Sequence, residues 1–152
     1  MTDTFASPQE FLAAVGRSYG PTGWLLIEQA RINAFADATD DHQWIHIDTV
    51  RAASGPYGGT IAHGFLTLAL AYHFLPQLIT APQAKRCINY GCDRVRFPAV
   101  VRAGAQVRAR AGILGAGEVG DGAVQVKIQM TIEVQGSDKP VCVADTLNRY
   151  YF

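Results

Sequence analysis

Val124-Gln-Val-Lys-Ile-Gln-Met-Thr-Ile-Glu-Val134 alternates apolar and polar residues without a break. A period of two sends the apolar side chains to one face of an extended strand and the polar ones to the other, as in an antiparallel sheet with one wet face. Upstream, Val107, Ala109 and Ala111 alternate with Arg108 and Arg110. The glycine-rich stretch from Gly115 to Gly122 predicts a hairpin joining the two strands. Further strands are expected near Arg86 to Arg96 and Val141 to Tyr150.

The first half of the chain reads differently. Ser7-Pro8-Gln9-Glu10 has the form of a capping box with proline at the first helical position, and Phe11, Leu12 and Val15 predict a short helix to about Val15. Gly16, Gly20, Pro21 and Gly23 interrupt it; Trp24 to Ile27 predicts a brief strand and Gln29 to Ala38 a second helix. From Ile61 to Leu75 nearly every residue is apolar, as in His63-Gly-Phe-Leu-Thr-Leu-Ala-Leu-Ala-Tyr-His-Phe-Leu75, with no single polar stripe. A helix apolar all round is a buried one. This run is shorter than the ~20 residues that span a bilayer, so the helix is expected to be enclosed by protein and no membrane partner is expected. Helices first and long strands after predict one α+β domain over residues 1–152, its sheet wrapped around a central helix.

Composition narrows the function. Hydrophobic residues make up 49% of the 152, ample for one core. The 13 basic and 13 acidic residues balance, which argues against a nucleic-acid partner. Lys85, Arg86, Arg94, Arg96, Arg102, Arg108 and Arg110 do fall in one region, where solvated strand faces and a patch for an anionic ligand both fit. Cys87, Cys92 and Cys142 are odd in number and lack C-x-x-C spacing, so reduced, mostly buried thiols are expected, with neither a disulfide framework nor structural zinc. With no basic stretch followed by an apolar run near Met1, a cytoplasmic location is the expectation.

Titratable groups concentrate in Asp40-Asp41-His42-Gln43-Trp44-Ile45-His46-Ile47-Asp48. Asp41 and His46 suit a shared water, one accepting its proton while the other orients it or returns a proton. The same residues also suit simpler uses. Asp40 or Asp41 can cap a short helix from Gln43 to His46, a lone histidine is often a structural hydrogen-bonding group, and His42 with His46 share a helical face, though without a third metal ligand at a diagnostic distance. Next, Gly55-Pro-Tyr-Gly-Gly-Thr-Ile-Ala-His-Gly64 leads into the apolar helix. Unpaired N–H groups at that helix start suit an oxyanion, and Gly64 would admit a ligand carbonyl closely; the glycines are equally suited to a simple turn.

Phe35-Ala-Asp-Ala-Thr-Asp-Asp-His-Gln-Trp-Ile-His46 resembles the hydratase motif of the MaoC-like, (R)-specific enoyl-CoA hydratase family, approximately A-T-G-D-x-N-P-I-H. The likeness continues through Ile61-Ala-His-Gly64 and Asn89-Tyr-Gly-Cys-Asp-Arg-Val-Arg-Phe-Pro98, covering most of residues 25 to 105. It implies a hotdog fold, a curved antiparallel sheet around a long central helix, assembled as a homodimer through sheet edges. It implies reversible, (R)-specific hydration of trans-2-enoyl-CoA to (R)-3-hydroxyacyl-CoA, with no metal or redox cofactor. Matched residue by residue, Asp41 and His46 would be catalytic and the Gly64 N–H would polarise the thioester carbonyl. Arg94 and Arg96 would meet the phosphates of CoA, and His63 would position groups or line the pocket, with Thr67 and Tyr72 nearby. Asp40 departs from the family glycine, and a second carboxylate buried beside Asp41 would disfavour double ionisation. Gln43-Trp44 replace Asn-Pro, and Val100 stands where many relatives have proline.

Two other readings remain. Hotdog thioesterases often use an acid on the central helix, and His63 to Thr80 contains no Asp or Glu, which favours hydration. A non-catalytic acyl-CoA-binding hotdog subunit would carry the motif without using it.

Overall fold

A computed structural model describes residues 2–152. In chain order the elements are β1 (Asp3–Thr4), α1 (Pro8–Ala13), β2 (Ser18–Tyr19), β3 (Leu25–Leu26), α2 (Gln29–Thr39), α3 (Trp44–Ile47), α4 (Thr49–Ala53), α5 (Gly64–Ala69) and α6 (Ala71–Leu78). The rest is strand: β4 (Ile79–Thr80), β5 (Arg86–Arg96), β6 (Gln106–Glu118), β7 (Ala123–Val134) and β8 (Cys142–Tyr151). β2, β6, β7, β8 and β5 form one antiparallel sheet in that order, with β3 added beside β6. This is the α+β hotdog arrangement expected, a sheet on one side of a central helix.

The alternation in β7 does what its period dictates. Val124, Val126, Ile128 and Ile132 are fully buried and pack with Phe74, Leu78 and Met130 in one core, while Gln125, Lys127 and Gln129 stay at the surface side. Burying each such Val or Ile contributes about 1.5–3 kcal/mol. β6 reaches Glu118, so the hairpin turn is shorter than the glycine-rich stretch, and a bulge at Leu114 absorbs the register change between Ile113 and Gly115.

The central helix departs from expectation in three ways. It starts at Gly64, later than Ile61; it breaks at Leu70; and its second segment runs to Leu78 with Pro76 inside it. It is also not buried all round. Phe65 is 71% exposed, and with Ala69 and His73 it forms an outward stripe flanked by half-buried Leu68 and Tyr72. A single sheet covers only one side of a helix, so the apolar residues on the other side stay open. β5 is likewise exposed along nearly its whole length, pairing among the described residues only with β8. Cys87 and Cys92 on it are therefore exposed, contrary to the burial expected of the thiols; Cys142 is buried, and all three are free.

Smaller differences are local. α1 stops at Ala13, capped by the Ser7 hydroxyl, which accepts from the Glu10 N–H at 3.4 Å. The short parallel pair β1–β4 and helix α4 carry no periodic signal and were not expected. Among the described residues no helix is long and apolar enough to cross a membrane.

Candidate active site

α2 ends where Asp40 takes a left-handed conformation, φ 57°, turning the chain sharply. Aspartate tolerates that region better than most residues, so the turn survives without the family glycine. Gln43 stands at the start of α3 with no side-chain cap, so neither Asp40 nor Asp41 serves as the helix cap; Asp48 caps α4 instead, accepting from the Arg51 N–H at 2.9 Å. α3 is one turn long, and its purpose in the fold is to turn His46 inward.

His46 is 6% exposed, and its Nδ1–H donates to the Ile61 carbonyl at 2.7 Å. A carbonyl only accepts, so Nε2 of the neutral ring carries the lone pair. The backbone is pinned as well. Gln29 donates from Nε2 to the His46 carbonyl at 2.7 Å and accepts a short hydrogen bond from the Thr60 hydroxyl. Burial lowers the His46 pKa below the ordinary 6.5, opposed by its bond to Ile61 and reinforced by nearby His63, with Asp41 pulling upward. A neutral imidazole with a free Nε2 is the form a general base needs.

Asp41 is different. Its side chain is 55% exposed, and Asp40 is exposed too, so the two carboxylates are not buried together and the repulsion expected of a buried pair does not arise. His63, 3% exposed, stacks on His46 with ring centroids 3.7 Å apart and planes at 23°. Its Nε2–H donates to the Asp41 carbonyl oxygen at 2.9 Å. Asp41, His46 and His63 each offer an atom within 4.8 Å of the others. Two stacked imidazoles, with centroids 3.7 Å apart and planes at 23°, hold their in-plane lone pairs in two nearly parallel planes, whereas a metal needs them to converge on one point about 2 Å from each nitrogen. The cluster suits proton transfer better than metal binding. His42, the other candidate ligand, turns away to Asp37 at 2.9 Å.

Asp41, His46 and His63 line a cavity of about 620 Å³. Phe35, Phe65, Leu68 and Tyr72 supply apolar walls, and Asn89, Gly91 and Cys92 of β5 complete the lining. A largely apolar cleft with a few polar groups in its lining suits an acyl chain whose reacting head is polar. Gly64 also lines it, at the first position of α5, where the backbone N–H has no partner within the helix. Its lack of a side chain has a second cause: a Cβ there would meet the Phe97 ring at 2.9 Å.

Other candidates fall elsewhere. Arg94 pairs with Asp145 at 3.6 Å, Arg96 donates to the neighbouring Val95 carbonyl, and neither lines the cavity. Thr67 is buried and donates to the His63 carbonyl at 3.3 Å. Gln29, Thr60 and the Ile61 carbonyl were missed, since nothing local to an isolated glutamine or threonine signals a clamp on a histidine 17 residues away.

Residues 10–135 match the family profile described as MaoC like domain. The chain belongs to the MaoC-like domain family. Among relatives of this MaoC-like chain, the 3-hydroxyacyl-thioester dehydratase Z of Mycobacterium tuberculosis is 50% identical over 147 residues, covering 97% of each chain. Two solved structures share its fold at lower identity. A protein described as monoamine oxidase regulatory protein from Archaeoglobus superposes with TM-score 0.82 at 19% identity, covering 100% of this chain and 99% of the other. An (R)-hydratase from A. caviae superposes at 0.71 with 22% identity, covering 88% and 94%.

Proposed function

We propose that the protein is a hydratase and dehydratase of 3-hydroxyacyl thioesters, acting on trans-2-enoyl-CoA to give the (R)-3-hydroxyacyl-CoA and the reverse. The observation that carries this is the buried His46 with its lone pair fixed on Nε2, grouped with the Asp41 carboxylate in the lining of a largely apolar cavity. The near full-length likeness to a dehydratase of that name supports the thioester class.

In the hydration direction, Asp41 and His46 hold a water between them. Its oxygen bonds to the β-carbon of the enoyl group while one of the pair takes its proton. The electrons of the double bond move onto the thioester oxygen, where the Gly64 N–H stabilises the developing charge. A proton then reaches the α-carbon, so one water is added and nothing is oxidised or reduced. No step calls for a metal or redox cofactor.

Partner and location belong to the same reading. A homodimer through β5 would satisfy the row of unpaired backbone groups on that edge and cover exposed Phe65, Ile88 and Tyr90. In the same reading Arg94 and Arg96, on the same strand, are the basic groups assigned to the phosphates of CoA. A reducing, cytoplasmic setting fits three free cysteines.

Crotonyl-CoA incubated with the protein should lose its enoyl absorbance without releasing free thiol, and chiral analysis should return the (R) product. Asp41→Asn and His46→Ala should each lower kcat by about 100-fold or more with melting curves retained. Thiol release with the enoyl group intact would make the protein a thioesterase. Wild-type hydration rates in both variants would remove Asp41 and His46 from the mechanism, and no turnover of any acyl thioester by wild type would leave a binding subunit.

A further inference from the structure

We propose that His63 is a positioning residue for the hydration reaction, holding Asp41 and His46 in register with each other and with the Gly64 N–H. The proposal rests on the function assigned above and adds a third side chain to it. His63 lies against both members of the pair and directly precedes the third group in the chain. On one side its ring stacks on His46 at 3.7 Å, and on the other it meets Phe35 at 5.0 Å with planes at 52°. That sandwich leaves the ring little freedom to turn. In its plane, Nε2–H donates to the Asp41 carbonyl at 2.9 Å, which fixes the loop that carries the carboxylate.

The backbone of His63 continues the same task. It is the last residue before α5, and its carbonyl accepts the Thr67 N–H that begins the helical ladder. Gly64 therefore inherits its orientation from a residue whose side chain is already clamped. Asp41 needs this most, because its own carboxylate is exposed and has no other buried tether among the described residues. Nδ1 of His63 is buried without a partner, so the ring is held by one hydrogen bond and two aromatic faces. A histidine supplies both an aromatic face and an in-plane donor.

The two contributions separate by substitution. His63→Phe keeps the face and removes the donor, whereas His63→Gln places an amide N–H near the position of Nε2–H and gives up part of the stack. With crotonyl-CoA, the Phe variant should lose about 100-fold in kcat, the scale of an ångström's misplacement, with KM within about 3-fold of wild type. The Gln variant should recover about 10-fold or more of that loss. Nitrogen NMR of the wild-type protein should show His63 protonated at Nε2 and bare at Nδ1 in the neutral ring. A Phe variant at the wild-type kcat, a Gln variant no faster than a folded Phe variant, or protonation at Nδ1 would each overturn the proposal. The NMR result stands even where a variant fails to fold. Inactivity of wild type on enoyl and 3-hydroxyacyl thioesters would instead overturn the assigned function, leaving the His63 bond to be judged by the nitrogen spectrum.

Discussion

Gln29→Ala tests whether the site depends on a clamp formed far from it in sequence. The wild-type side chain donates to the His46 carbonyl at 2.7 Å and to the Asn33 amide oxygen at 2.8 Å, and accepts from the Thr60 hydroxyl. Asn33 is exposed and loses nothing that water cannot replace. His46 and Thr60 are buried, so the substitution leaves one carbonyl and one hydroxyl without partners. Each orphaned group costs about 1–3 kcal/mol, and water entering the small space left behind places the total near the lower end, about 2–3 kcal/mol. For a chain of this size that corresponds to a fall in melting temperature of about 4–12 °C, read by circular dichroism. Asn33→Ala should stay within about 0.5 kcal/mol. Adding Thr60→Val to Gln29→Ala should restore part of the loss, because the orphaned hydroxyl is removed with its partner. A Gln29→Ala variant that melts within about 1 °C of wild type, or no lower than Asn33→Ala, would refute the clamp.

Three further outcomes are expected. His46 titrates below 6.5 because of burial, so kcat/KM should fall on the acid side with a midpoint under that value; a midpoint at or above it would place the base elsewhere. The unfolded chain takes up this proton near 6.5 and the folded one only at lower pH, so the His46 contribution to stability is complete above 6.5 and is lost as pH falls through the folded value. Urea melts across that range should follow this sign in wild type and lose that dependence in His46→Gln. At position 40, φ 57° suits glycine, so Asp40→Gly should melt within about 1 kcal/mol of wild type and keep its turnover, while Asp40→Val should lose about 1–2 kcal/mol. A large loss of activity in Asp40→Gly with an unchanged melt would show that Asp40 and Asp41 act as a unit.

The sequence by itself determined the strands, because a period of two is a property of neighbours along the chain. Val124 to Val134 can bury one face only by lying extended. It also singled out Asp41 and His46, whose spacing is local and which the fold brings within 4.8 Å of each other, and the three family-like blocks in order pointed to one fold. Where it misled, the missing quantity was what lies across from a residue. The run from Ile61 to Leu75 reads as apolar all round, yet Phe65, Ala69 and His73 face outward because the sheet covers one side of the helix alone. Cys87 and Cys92 are exposed because β5 is an edge, which no pattern within β5 announces. Only the tertiary structure decided which nitrogen of His46 carries the lone pair, through a carbonyl 15 residues away, and which ring stacks upon it. Hydrogen bonds and stacking act over a few ångströms in space, and it is the packing of α2, α3 and the start of α5 that sets those distances.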